Sequence, residues 1–138
     1  MIKITKESSV SIDDVLHLYQ AVGWTNYTNQ PQMLEQALSH SLATYLARDG
    51  EEIVGLVRLV GDGFSSVFVQ DLIVLPSYQR QGIGSNLMKE ALADYKDAYQ
   101  IQLATEQTEK TLGFYRSLGF ETLSTYDCTG MIWVDRKK

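Results

Sequence analysis

Residues 67–95 constrain this chain more than any other stretch. They begin VFVQDLIVLP, a run of Val, Ile, Leu and Phe closed by Pro76, which predicts a buried strand. They end NLMKEALADY, where Leu87, Met88, Ala91, Leu92 and Tyr95 recur at helical spacing and predict an amphipathic helix. Between the two lie Gln79, Arg80, Gln81, Gly82, Ile83, Gly84 and Ser85. Glycine permits a positive φ and a close approach that a Cβ would block. A helix starting at such a loop aims unpaired N–H groups, and the positive end of its dipole, at whatever sits there. The stretch predicts an anion cradle, most simply for phosphate, although strand-to-helix turns also use glycine for geometry alone. The dinucleotide fingerprint GxGxxG is not met, because Leu87 holds its third glycine position, and the loop lacks the Gly-Lys-Ser/Thr of a Walker A motif.

The rest of the chain supplies elements around this unit. Ile2 and Ile4 alternate with lysines, as in a first strand. Ser11 and Asp14 resemble a capping pair ahead of the apolar stripe Ile12, Val15, Leu16, Tyr19 and Val22, so a helix should end at Gly23. Trp24 and Tyr27 fall in a predicted loop, and Pro31 opens a second helix with Met33, Leu34, Ala37 and Leu38 facing inward. Strands over 42–48 and 53–60 meet at the turn Asp49-Gly50, and Gly61-Asp62-Gly63 leads into the strand 66–75. After the helix, 101–104 reads as a strand parallel to 66–75, joined by a right-handed crossover. A helix opening near Thr108 carries Leu112, Tyr115 and Leu118 and stops at Gly119, and strands over 121–124 and 128–135 close the chain. Strand periodicity puts Val69, Asp71 and Ile73 on one face and Gln70, Leu72 and Val74 on the other, unless a bulge intervenes.

These elements predict one α/β domain over residues 1–138, with an antiparallel N-terminal meander, a parallel strand pair and flanking helices. A net charge of −5 argues against nonspecific nucleic-acid binding, and the closing Arg136-Lys137-Lys138 reads as a solvated tail. No apolar run approaches the ~20 residues of a membrane span. The start MIKITKESS lacks the apolar segment of a secretion signal, so the expected compartment is the cytoplasm. The single cysteine, Cys128, suits packing better than nucleophilic chemistry, and His17 and His40 have no metal-ligand spacing, so no metal is expected.

The loop fits the pattern Q/R-x-x-G-x-G/A and resembles the coenzyme-A pyrophosphate loop of the GNAT superfamily of N-acetyltransferases. Downstream, the run from Gly113 through Phe114, Tyr115, Arg116, Ser117 and Leu118 to Gly119 and Phe120 resembles that family's FYxxxGF segment. The two motifs stand in the family's order, and the resemblance extends more loosely over nearly the whole chain. It implies acetyl-CoA as the acyl donor and a parallel strand pair splayed around it. It also implies transfer of the acetyl group to a small-molecule or peptide primary amine by direct attack. A noncatalytic acyl-CoA-binding sensor is the alternative, and family members are often homodimers.

The resemblance also implies roles for particular residues. Gln79, Arg80, Gln81, Gly82, Ile83, Gly84 and Ser85 would hold the pyrophosphate, and Ile73, Val74 and Leu75 would offer main-chain groups to the pantetheine arm. Tyr115 would donate a proton or a hydrogen bond to the departing thiolate; as a phenol of ordinary pKa about 10 it is protonated at neutral pH. The alternative role for Tyr115, with Phe114, is that of a core aromatic. Thr108 stands where members of the family often carry an Asn, so a coenzyme contact there differs. Asp71, a lone carboxylate in an apolar strand, reads either as the base or cation anchor on the acceptor side or as a structural hydrogen-bonding group. Trp24 and Tyr27 would wall the acceptor site or clamp helices onto the sheet.

Overall fold

Alternating apolar strands and amphipathic helices build an α/β fold, a five-stranded mixed sheet flanked by helices, seen here in a computed structural model that describes residues 1–135. The tail Arg136-Lys137-Lys138 lies outside the described residues. The chain divides into two compact units, Met1–Leu103 and Ala104–Lys138.

In the first unit the strands β1 (Ile2–Glu7), β2 (Ala43–Asp49), β3 (Glu52–Gly61), β4 (Ser66–Val74) and β5 (Gln100–Leu103) lie side by side in chain order. The first four pair antiparallel, and β5 runs parallel to β4. Helices α1 (Ile12–Ala21), α2 (Thr25–Thr28) and α3 (Pro31–Ser39) follow β1, and α4 (Ile83–Asp94) connects β4 to β5. Ser11 caps α1 by accepting from the Asp13 N–H at 3.1 Å, one residue short of the predicted partner Asp14, and Pro31 opens α3. The predicted loop at Trp24 and Tyr27 is the short helix α2, which buries Tyr27.

Two apolar layers result. Val15, Leu18 and Tyr19 of α1, Tyr27 of α2 and Leu34 and Leu38 of α3 pack with Leu46, Leu56 and Ile73 of the sheet. Ile83, Leu87, Met88 and Ala91 of α4 are buried over β2, β3 and β4. Fully burying side chains of this kind contributes roughly 1.5–3 kcal/mol each. Helix α4 sits close because β3 carries Gly55: a Cβ there would lie 3.2 Å from the Ile73 carbonyl oxygen and 3.2 Å from Leu87 Cδ1.

The period-two reading of β4 is corrected by a bulge. Arg58 of β3 pairs with Asp71, but the next residue, Leu59, pairs with Val69, so Gln70 is the extra residue. Adjacent residues of β3 face opposite ways, so Asp71 shares a face with Arg58 while Val69 turns to the other side with Leu59. Gln70 Nε2 also reaches the Tyr27 hydroxyl at 3.4 Å, against the expectation that Gln70 points away from Asp71.

In the second unit α5 (Glu109–Ser117) begins at Thr108 as predicted, and Gly119 follows its end with φ 99°. The strands predicted over 121–124 and 128–135 do not form: Leu123–Tyr126 is a turn of 3₁₀-helix, and residues 128–135 are irregular. Apolar, branched composition gives a segment strand propensity, but that propensity is expressed only where the backbone is paired in a sheet.

Candidate functional site

The loop after β4 has the geometry of an anion cradle. A 3₁₀ turn at Pro76–Tyr78 leads into it, tied to the end of β2 by the Tyr78 hydroxyl donating to Asp49 at 2.7 Å. Arg80 then adopts φ 66°, a left-handed conformation rare outside glycine, and Gly82, the N-cap of α4, has φ 78°. No side chain caps α4, and the start of a helix leaves the N–H groups of Ile83, Gly84 and Ser85 without intrahelical acceptors. Ile83 is buried and pins this first turn to the sheet, while Gln79, Arg80, Gln81 and Gly82 are exposed. Donors held in place at the positive end of a helix, with a cationic side chain beside them, fit a phosphate group.

Beside the cradle runs an open strand edge. The β4–β5 pairing stops at Val69 opposite Leu103, so β4 beyond Val69 has no β5 partner. On the other side, the Leu75 N–H donates to the Val54 carbonyl at 2.9 Å. Alternate residues of an antiparallel ladder bond to the partner strand, so Ile73 and Leu75 direct their main-chain groups at β3, and Leu72 and Val74 turn theirs to the open edge. Of Ile73, Val74 and Leu75, only Val74 turns its main-chain groups to the open edge, where Leu72 joins it. The Val74 carbonyl already accepts from Gln79 Nε2 at 3.2 Å, which ties the loop back to the strand.

Asp71 sits at the centre of a buried polar cluster and is only 2 % exposed. Its Oδ2 accepts from the Tyr19 hydroxyl at 2.8 Å and from Arg58 Nε at 2.8 Å, and its Oδ1 accepts from the Tyr27 hydroxyl at 2.9 Å. Arg58, likewise buried, donates through Nη2 to the Tyr27 oxygen at 3.2 Å and through Nη1 to Ser41 Oγ at 3.2 Å. Burial drives the Tyr19 phenol far above its ordinary pKa, helped by the Asp71 charge and hydrogen bond. Tyr27 is raised too, again chiefly by burial, with the Gln70 contact opposing. This is the arrangement of the structural alternative for Asp71: three donors, one a guanidinium, occupy the oxygens a base needs free.

Tyr27 thus belongs to this cluster, stacked edge-on against Tyr19 with centroids 5.0 Å apart. Trp24, half-buried, lies 6.3 Å from the Tyr27 ring and 6.1 Å from Tyr19. Arg58 and the hydroxyl of Tyr19 thus join the site although neither is among the residues the sequence motifs single out. Their signal was available: one Arg and one Asp stand alone in neighbouring apolar strands, and only pairing satisfies both.

In the second unit, Tyr115 packs edge-on against Phe114 and Phe120, with centroids at 5.0 and 5.9 Å. Burial raises its phenol pKa, and a hydrogen bond with the Thr105 side chain partly offsets this. Thr108 is committed locally, its Oγ1 accepting from the Thr111 N–H at 3.2 Å as the α5 cap. Among the described residues no group of three or more His, Cys, Asp or Glu side chains gathers into a metal site.

Comparison with known proteins bears on the family and the fold. The family model described as an acetyltransferase (GNAT) domain matches residues 40–122. A GNAT-family acetyltransferase from Streptococcus pneumoniae TIGR4, of solved structure, is 75 % identical, with a TM-score of 0.92 over 99 % of both chains. A structure from Elizabethkingia anophelis, a GNAT-family acetyltransferase with acetyl-CoA bound, shares the fold at 23 % identity, with a TM-score of 0.64 over 87 % of this chain and 76 % of that one. Among sequence relatives, serotonin N-acetyltransferase 2 of Oryza sativa is 33 % identical over 66 % of this chain and 48 % of its own. GCN5-related N-acetyltransferase 1 of Arabidopsis thaliana is 27 % identical over 94 % of this chain and 65 % of its own. The chain thus spans about half to two-thirds of the length of these plant relatives.

Proposed function

Since the chain belongs to the GNAT acetyltransferase family, we propose that it is an acetyl-CoA-dependent N-acetyltransferase acting on a primary amine by direct attack. One observation carries the reading: the uncapped start of α4, entered through left-handed Arg80 and Gly82, opens beside the edge of β4 that β5 leaves free. The coenzyme supplies an acetyl group activated as a thioester. The N–H groups of Ile83, Gly84 and Ser85 hold its pyrophosphate, with Arg80 adding charge. Leu72 and Val74 present main-chain groups to its pantetheine arm. An N–H on that edge directed at the thioester carbonyl stabilises developing negative charge, a contribution of roughly 3 kcal/mol for such a donor.

Tyr115 donates to the departing sulfur, and its raised pKa keeps the phenol protonated for that task. Asp71 takes no proton in this scheme. With Arg58, Tyr19 and Tyr27 it fixes the bulge from which Leu72 and Val74 follow, and the amine loses its proton to water. The exposed Gln70 and the half-buried Trp24 face the acceptor. The rice relative is named for serotonin, a primary amine on an aromatic ring, so arylalkylamines head the screen.

The test has two readouts. Acetyl-CoA at a hundred times its dissociation constant adds about 2.7 kcal/mol of stability, a rise of roughly 5–10 °C in melting temperature. A panel of primary amines with acetyl-CoA should then release free thiol. No thermal shift at saturation sinks the coenzyme assignment. A shift without thiol release from any amine leaves the acyl-CoA-binding sensor.

A further inference from the structure

The buried cluster around Asp71 reaches the surface in one group, the side-chain amide of Gln70. A phenol has one proton and two lone pairs to share. At Tyr27 the proton goes to Asp71 Oδ1 at 2.9 Å, because the carboxylate only accepts. One lone pair receives Arg58 Nη2 at 3.2 Å, and the other receives Gln70 Nε2 at 3.4 Å. With the Tyr27 proton spent, Gln70 must present its NH2 group there, and its oxygen Oε1 is turned away. The orientation of this exposed amide is therefore set by buried charges that it does not touch. Among the described residues no side chain or main-chain group donates to Oε1.

Gln70 also holds a particular place on the strand. It is the extra residue of the β4 bulge, and the first residue after the β4–β5 pairing stops at Val69. The coenzyme as placed under the acetyl-transfer reading, on which this inference rests, runs from α4 past Val74 to Leu72. Its thioester end then arrives beside Gln70, two residues or roughly 7 Å further back along the strand. Asp71 is already committed to Arg58, Tyr19 and Tyr27, so the polar atom that this part of β4 offers to a substrate is Gln70 Oε1.

We propose that Gln70 Oε1 accepts a hydrogen bond from the attacking nitrogen and thereby selects primary over secondary amines. The nitrogen lone pair forms the N–C bond to the thioester carbonyl carbon, and the carbonyl π pair moves to oxygen. Nitrogen is now positively charged and, in a primary amine, carries two protons. One leaves to water. Oε1 holds the other, which stays as the amide N–H of the product, in a hydrogen bond that strengthens as the charge develops. The oxygen pair then returns, the C–S bond breaks with its electrons on sulfur, and sulfur takes up one proton to become the thiol. A secondary amine reaches the same point with a single proton. Water must remove it, and Oε1 is left without a donor.

Thiol release at saturating acetyl-CoA tests this with the fastest primary amine of the panel and its N-methyl derivative. The parent should favour the primary amine by about a hundredfold or more in kcat/KM. Gln70→Met keeps the length of the side chain and removes both polar ends of the amide. It should slow the primary amine about 10–100-fold, the worth of a hydrogen bond to a charged group, and hardly change the N-methyl derivative. The preference then shrinks by the same factor, which a purely structural role would not produce. Gln70→Asn, whose amide is withdrawn by one methylene, should narrow the preference in the same direction. Gln70 is exposed, so both variants should keep the fold and the thermal shift with acetyl-CoA. A parent indifferent to N-methylation, or variants that slow both amines equally or neither, overturns this inference and leaves the acetyl-transfer reading standing. A parent that acetylates no amine overturns both.

Discussion

Asp71→Asn offers a severe test of the buried cluster. The carboxylate accepts three hydrogen bonds, two at Oδ2 and one at Oδ1. Asparagine keeps one acceptor oxygen. Its amide must then occupy the place of an oxygen that receives either a guanidinium N–H or a tyrosine hydroxyl. With the oxygen left toward Arg58 and Tyr19, the NH2 group meets the Tyr27 oxygen, which already accepts from Arg58 and Gln70. The Tyr27 proton loses its acceptor, and Arg58, 4 % exposed at its side chain, loses its counter-charge. Breaking a buried ion pair from one side costs about 3–5 kcal/mol. For a domain of this size that corresponds to a fall of roughly 10–20 °C in melting temperature. Guanidinium denaturation at fixed protein concentration, followed by tryptophan fluorescence, should show a lowered midpoint with an unchanged slope. Replacing the pair together, Asp71→Leu with Arg58→Met, should lose less than the sum of the two single changes. An Asn variant within about 1 kcal/mol of the parent refutes the structural assignment; loss of turnover without loss of stability would return Asp71 to the role of base.

Three further outcomes are expected. Gly82→Val forces a branched residue into a left-handed conformation, which costs about 1–2 kcal/mol; because a Cβ there meets nothing within 4 Å, the apo protein should stay folded while the thermal shift with acetyl-CoA disappears. Tyr115→Phe keeps the ring contacts with Phe114 and Phe120, so coenzyme affinity should hold while turnover, measured where chemistry limits it, falls about 10²–10⁴-fold; full activity removes Tyr115 from the reaction. Tyr19, Tyr27 and Tyr45 all have pKa values raised chiefly by burial, so the fold prefers their neutral forms. Their stabilisation is complete below the unfolded value of about 10 and is lost as pH rises through the folded values. Tyrosinate absorbance should show these three ionising only as the protein unfolds at alkaline pH; ionisation in the native state near pH 10 contradicts the burial that raises them.

The cradle was legible because its signal is local: a strand, a glycine loop and a helix contiguous in the chain. The cluster around Asp71 was not, since Tyr19, Tyr27, Arg58 and Asp71 come from four elements and meet only once the sheet has its register. The bulge at Gln70 escaped for the same reason, because it is a mismatch between two strands and leaves no mark on either alone. That mismatch also reversed the expected facing of Val69 and Asp71. Residues 128–135 have the composition of a strand, but composition cannot say where the partner is.

Gly55 gives the proposed coenzyme loop a control point outside the loop itself. The first turn of α4 rests on this hydrogen atom, with Ile83 Cγ2 at 3.4 Å and Leu87 Cδ1 at 3.2 Å from where a methyl would stand. Alanine at 55 would jack the helix away from the sheet by tenths of an ångström and carry the amides of Ile83, Gly84 and Ser85, proposed to hold pyrophosphate, out of line with the edge of β4. Selection for altered acetyl-CoA affinity would then yield substitutions beneath the helix as well as in the loop. A survey confined to coenzyme contacts would overlook them.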